Sequence, residues 1–138
     1  MKKLIVMLMT IPCIGLSQTP QKVYKELVKR KVKCPEIVLA QSILETGWYK
    51  CTDCSRDVNN IFGLWNSREK EYFPYNSWEE SIGGYLRGIQ RKYNSNDYKD
   101  YYEFLTKLGY ASDPKYIDKL KIIVEKLYDS NIISTKIN

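Results

Sequence analysis

Apolar residues recur at helical spacing over most of the chain, and they fall into five blocks. Thr19-Pro20 has the form of an N-cap followed by proline in the first helical position, and Val23, Leu27 and Val28 then keep the helical period. A first helix is predicted over about residues 20–31. Cys34-Pro35 opens a second, in which Ile37, Val38, Leu39, Ala40, Ile43 and Leu44 cover most of the circumference before Gly47 supplies a stop signal. A helix that is apolar all round is a buried one. Two short apolar runs, Ile61 to Trp65 and Glu71 to Tyr75, flank the polar stretch from Asn66 to Lys70 and predict a small hairpin, with Pro74 confining its strand to an edge. Ser77-Trp78-Glu79-Glu80 is a capping-box pattern that opens a third helix running to about Lys92. That helix carries Ile82, Tyr85, Leu86 and Ile89 on one side, and Gly83-Gly84 allow a close backbone approach. A tyrosine-rich fourth helix is expected near residues 97–108, ending at Gly109. Asp113-Pro114 caps a fifth, in which Tyr116, Leu120, Ile123, Val124 and Leu127 hold the period. The pattern predicts a mainly α, single domain of about five helices with a short β-hairpin lobe.

Ahead of these blocks, Lys2 and Lys3 precede an almost unbroken apolar run from Leu4 to Leu16, which gives way to Ser17-Gln18-Thr19. This is the pattern of a signal peptide over residues 1–17, leaving a mature domain of residues 18–138 that is periplasmic or secreted. The run falls short of the roughly 20 residues a bilayer span requires, so no stable membrane insertion is expected after cleavage. Cys13 follows Pro12, which disfavours lipid attachment there.

Composition narrows the chemistry. Of 22 Lys+Arg, two leave with the signal, so 20 face 16 Asp+Glu and the mature charge is about +4. The lysines are scattered among acids at helical intervals and form no dense stripe, which argues against a nucleic-acid partner. A moderately basic surface suits an anionic polymer. No histidine occurs, which removes the usual general base, the usual zinc ligand and any nucleophile activated by imidazole. Acid and base work must then fall to carboxylates, lysine or tyrosine, with no cofactor or metal expected. Cys34, Cys51 and Cys54 remain after processing, and export makes a disulfide the default reading. The expected pairing is Cys34 with Cys54 or Cys51, stapling the start of the second helix to the loop that follows it.

Glu45 is placed by the helical reading in the last turn of the buried helix. Desolvation and the negative helix end both penalise its carboxylate, so it can hold a proton near neutral pH and donate to the leaving oxygen of a departing sugar. The plain alternative is a side chain that points to water beyond the helix end. A second group is usually needed to activate water or to stabilise positive charge on the sugar. Glu71, at the start of the returning strand, is the candidate, and Glu69 is the lesser one. Both also read as surface residues in the charged turn Arg68-Glu69-Lys70-Glu71, and the substrate's own 2-acetamido group is a third option. Trp65 and Tyr72 are candidate cleft walls, since flat rings suit the apolar faces of sugars.

Four ordered segments resemble the bacterial glucosaminidases of the flagellar-rod and autolysin type, glycoside hydrolase family 73. They are Leu39-Ala40-Gln41-Ser42-Ile43-Leu44-Glu45-Thr46-Gly47, Asn59-Asn60-Ile61-Phe62-Gly63-Leu64, the stretch from Phe73 to Ile82, and Gly109-Tyr110-Ala111-Ser112-Asp113-Pro114-Lys115-Tyr116. The resemblance spans about residues 22–127. It implies a lysozyme-like α-domain with a small β-lobe, cleavage of the β-1,4 bond after N-acetylglucosamine in peptidoglycan, and the general-acid role for Glu45. It also implies a substrate-contacting role for Tyr110 and places Asn60 in the turn below the cleft. A monomer acting on glycan strands is expected. Members of the family often carry a longer insertion in the β-lobe that holds the second carboxylate; only Asn66 to Glu71 separate the apolar runs here, which weakens the assignment to Glu71. The competing readings are a lytic transglycosylase and a catalytically weak cell-wall binding module.

Overall fold

The computed structural model describes residues 18–134; the expected signal peptide, residues 1–17, lies outside the described residues. Among the described residues there are five α-helices, two short 3₁₀ segments and one two-stranded antiparallel hairpin. Helix α1 (Pro20–Lys29) is capped by Thr19, whose hydroxyl accepts from the Lys22 amide, and buries Val23 and Leu27. Helix α2 (Pro35–Thr46) is the centre of the molecule. Every residue from Ile37 to Ile43 is buried, as its all-round apolar pattern requires, and α1 and α5 pack against it. It ends at Gly47 in the left-handed conformation, φ 53°, as a helix stop commonly does.

Helix α3 (Trp78–Gly88) starts where the capping-box pattern predicts, with Ser77 Oγ accepting from the Glu80 amide, but the Glu80 carboxylate reaches one residue further back and accepts from the Asn76 amide instead of that of Ser77. It stops at Gly88, and the expected last turn is instead a short 3₁₀ segment, Gln90–Lys92. Helix α4 (Tyr101–Leu108) begins later than its tyrosine-rich pattern suggests. Residues 94–97 close a turn through the Asp97 amide and the Asn94 carbonyl, and Asp100 then provides the N-cap that the Glu103 amide uses. Helix α5 (Tyr116–Asp129) buries Tyr116, Leu120, Ile123 and Leu127.

The hairpin is shorter than its two apolar runs. Strands β1 (Trp65–Asn66) and β2 (Glu71–Tyr72) are two residues each, paired Trp65 with Tyr72 and Asn66 with Glu71. Ile61 and Phe62 belong to the core, at most 1% exposed, and not to a strand. Gly63 explains the difference, because its φ of 63° turns the chain before any ladder can extend backwards. The polar stretch before Asn60 contains a 3₁₀ turn, Ser55–Val58, that the pattern did not indicate.

The cysteine expectation is corrected. The disulfide joins Cys51 to Cys54, whose Cα atoms are 6.2 Å apart, and Cys34 is not in it. Cys34 is the N-cap residue of α2, whereas Cys51 and Cys54 lie in the turns beyond its far end. Twelve helical residues separate those ends by about 18 Å, too far for a bond that needs Cα atoms about 4–7 Å apart.

Candidate active site

Glu45 sits in the last turn of α2, where the helix leaves the core, and its carboxyl lines an open cavity of about 640 Å³. The cavity has three walls. Leu44 and Glu45 come from α2; Gly63, Leu64 and Trp65 come from the turn into the hairpin. The third wall runs from Gly109 through Tyr110 and Asp113 to Tyr116, across the α4–α5 loop.

Burial pushes the Glu45 pKa above the ordinary glutamate value, and a hydrogen bond from the Tyr116 hydroxyl, 3.5 Å from Oε1, pulls in the opposite direction. The carboxyl is thus raised by its surroundings yet given one donor that favours its ionised form. Its other oxygen lies against Gly63, so closely that a Cβ there would stand 2.8 Å from Oε2. The Gly63 position therefore serves twice, as the left-handed turn and as the space the carboxyl occupies.

Tyr116 is itself held by a buried chain of polar groups. Gln41 Nε2 donates to its hydroxyl at 3.4 Å, and the Tyr85 hydroxyl donates to Gln41 Oε1 at 2.5 Å. Because the Tyr85 proton is used on Gln41, the 2.7 Å contact between the Tyr85 and Tyr101 hydroxyls has Tyr101 as donor. Gln90 Nε2 then donates to Tyr101 at 3.1 Å and to the Lys33 carbonyl at 2.9 Å. From Gln90 through Tyr101, Tyr85, Gln41 and Tyr116 each bond donates toward Glu45, whereas the Gln90 bond to the Lys33 carbonyl points the other way. The sequence of bonds crosses the core from the loop before α2 to the cavity, through α4, α3, α2 and α5.

Of the predicted site residues, Glu45, Trp65 and Tyr110 meet at the cavity. The Tyr110 hydroxyl donates to the Phe62 carbonyl at 2.7 Å and its ring stacks on Tyr116 at 5.7 Å, so it braces the Gly63 turn against α5. Asn60 does not line the cavity. It is fully buried, donating through Nδ2 to the carbonyls of Leu64 and Phe73 and accepting from the Leu64 amide, which orders the turn. Tyr72 lies outside the lining and packs edge-on to Trp65, centroids 5.1 Å apart. Glu71 and Glu69 are exposed on the hairpin and also lie outside the lining. The other carboxylate lining the cavity is Asp113, whose pKa is lowered by hydrogen bonds from the Lys119 ammonium and the Lys115 amide. Among the described residues no group of three or more His, Cys, Asp and Glu could hold a metal ion.

Sequence reasoning missed Tyr116 as a partner of Glu45 and Gln41 as its support. Gln41, a lone amide on an otherwise apolar helix, was the available signal for the second.

A half-buried carboxyl of raised pKa, set in an open cavity with aromatic residues in its walls, is an arrangement of the kind that carboxylate-based glycoside hydrolysis requires. The sequence matches the family model for glucosaminidases, described as mannosyl-glycoprotein endo-beta-N-acetylglucosaminidase, over residues 21–129. The chain belongs to this family. It is also similar to the exo-glucosaminidase LytG of Bacillus subtilis (strain 168), 29% identical over 126 residues, covering 69% of this chain and 44% of the relative. The chain thus spans less than half the length of that relative. Among the described residues no helix is long and apolar enough to cross a membrane.

Proposed function

We propose that this chain is an exported endo-β-N-acetylglucosaminidase that hydrolyses the β-1,4 bond after N-acetylglucosamine in peptidoglycan, with Glu45 as general acid. The observation that carries the reading is the setting of Glu45: a carboxyl of raised pKa, held by Tyr116 and Gly63 at the wall of an open cavity. Such a group protonates the leaving oxygen of the scissile bond, while Trp65 and Tyr110 offer ring surfaces to the sugars. The name of the Bacillus subtilis relative describes exo action. Endo action is favoured for this chain because Leu64, Trp65 and Ile89 also line a second cavity of about 580 Å³, which gives a strand room to continue past the Glu45 site.

For the second group, the exposure of Glu71 and Glu69 outside the cavity supports the substrate's own 2-acetamido oxygen, which attacks the anomeric carbon as the glycosidic bond breaks and the leaving oxygen takes the Glu45 proton. Water then opens the resulting oxazolinium, and Glu45 recovers its proton.

Digestion of purified peptidoglycan followed by mass spectrometry tests the proposal. Wild type is expected to release products with reducing-end N-acetylglucosamine, and Glu45→Gln none; anhydro-muramic ends would establish a lytic transglycosylase instead. Wall binding with no cleavage by wild type would reduce the chain to a binding module. Glu71→Gln and Glu69→Gln are expected to keep most activity, and loss of about 10²-fold or more in either would restore a protein carboxylate as the second group.

A further inference from the structure

The second cavity differs in charge from the one that holds Glu45. Arg87, at the end of α3, and Arg91, in the 3₁₀ segment that follows, stand on its rim, and Trp65, Phe73 and Tyr75 supply rings. No aspartate or glutamate lines it, and among the described residues neither arginine takes part in an ion pair. The Glu45 cavity, by contrast, is lined by two carboxylates, Glu45 and Asp113, and by one cation, Lys119, which is paired with Asp113.

Both arginines are placed by local packing. Tyr75 inserts its hydroxyl against Gly84, filling the space a Cβ would take, and the Arg87 guanidinium folds back over Gly83, with one nitrogen 2.9 Å from where that residue's Cβ would lie. The two glycines therefore leave room on α3 for the Tyr75 ring and the Arg87 guanidinium, and Arg87 and Arg91 are the charged residues that line the cavity. Leu64, Trp65 and Ile89 are shared between the two cavities, so a ligand spanning both passes Glu45 at one end and the arginines at the other.

We infer that Arg87 and Arg91 form a carboxylate-binding subsite of the cleft, which holds an acidic group carried by the glycan strand to one side of the bond that Glu45 addresses. The inference rests on the glycosidase reading above. A guanidinium presents planar paired donors that match a carboxylate, a group that a neutral sugar does not offer. Peptidoglycan offers carboxylates from two sources, the stem peptide and, where that peptide has been removed, the lactyl group of muramic acid.

The test compares wild type with the double variant Arg87→Gln/Arg91→Gln on three strands: one with intact stem peptides, one stripped by an amidase so that only lactyl carboxylates remain, and one with carbodiimide-amidated carboxylates. Both side chains are exposed, and circular dichroism checks that the variant folds. On an acidic strand KM is expected to rise about tenfold with kcat nearly unchanged, since two solvent-facing pairs are lost and Glu45 is untouched. On the amidated strand the variant should match wild type. A loss on the stem-bearing strand alone assigns the site to the peptide; a loss on the stripped strand alone assigns it to the lactyl group. No loss on either acidic strand, or an equal loss on all three, overturns the subsite while leaving the glycosidase reading intact. If wild type cleaves none of the strands, the glycosidase reading falls and the subsite falls with it.

Discussion

Gly63→Ala separates the two duties of that residue, and a second glycine supplies the control. With φ at 63°, an alanine at this position costs about 1–2 kcal/mol for the left-handed backbone alone. Gly47, with φ 53°, carries the same backbone cost, but a Cβ there meets nothing within 4 Å. At Gly63 the new methyl would stand 2.8 Å from Glu45 Oε2 and 3.3 Å from its Cδ, so the carboxyl must move by several tenths of an ångström or the turn must shift. Displacement of a reacting group by about 1 Å can cost about 10²-fold in rate. Gly47→Ala is therefore expected to lower the melting temperature by roughly 5–10 °C while keeping kcat within a few-fold of wild type. Gly63→Ala should show at least the same thermal loss with kcat reduced on the order of tenfold or more, since the shift is about half of that displacement. Thermal melts and the rate of reducing-sugar release from purified peptidoglycan, measured on both variants well below their melting temperatures, check this. Near-wild-type turnover in Gly63→Ala would refute the claim that the Gly63 turn holds the Glu45 carboxyl.

The remaining predictions concern the electrostatics of Glu45 and the cysteines. In Tyr116→Phe the carboxylate loses its donor, so the Glu45 pKa rises and the alkaline limb of the kcat profile moves to higher pH; a limb that stays put or moves down refutes the role given to that hydrogen bond. The same variant leaves Gln41 Nε2 unpaired and is expected to lose about 1–3 kcal/mol in urea unfolding. Because the folded pKa of Glu45 lies above its unfolded value of about 4.5, its contribution to stability is complete below that value and is lost as pH rises through the folded pKa. Glu45→Gln should accordingly melt above wild type at about pH 8 and gain little at about pH 4, and the opposite order would sink the burial argument. For the disulfide, tryptic digestion without reduction should give the peptide from Cys51 to Arg56 lighter by two hydrogens, and a cross-link to Cys34 would contradict the fold.

Elements were legible in the sequence wherever one local signal decided them. The all-round apolar pattern of α2, the N-cap at Ser77 and the glycine stops at Gly47 and Gly109 are read within a few residues, and each stands where the pattern puts it. What depended on tertiary placement was not legible. Ile61 and Phe62 carry the composition of a strand, yet they are buried beneath a turn because Gly63 reverses the chain and Asn60 ties that turn to Phe73. The cysteine pairing failed for a related reason. Three cysteines give no distances, and only the length of α2 separates Cys34 from the other two.

The setting of Glu45 shows how far a helical-end argument reaches. Position in the last turn of a buried helix predicts a penalised carboxylate, and burial is indeed the larger influence on its pKa. Position predicts nothing about the opposing donor, because Tyr116 is 71 residues away and is brought to Oε1 by the packing of α5 on α2. That packing in turn requires Gln41, the one amide on the apolar helix, to be satisfied from both sides: Tyr85 donates to its oxygen and Tyr116 accepts from its nitrogen. An apolar residue at position 41 would break the chain at its middle, leaving Tyr85 without its acceptor and Tyr116 without its support. The cost would therefore appear in two measurements at once, as lost stability from the buried hydroxyl and as a changed pH profile from a carboxyl whose donor is no longer held.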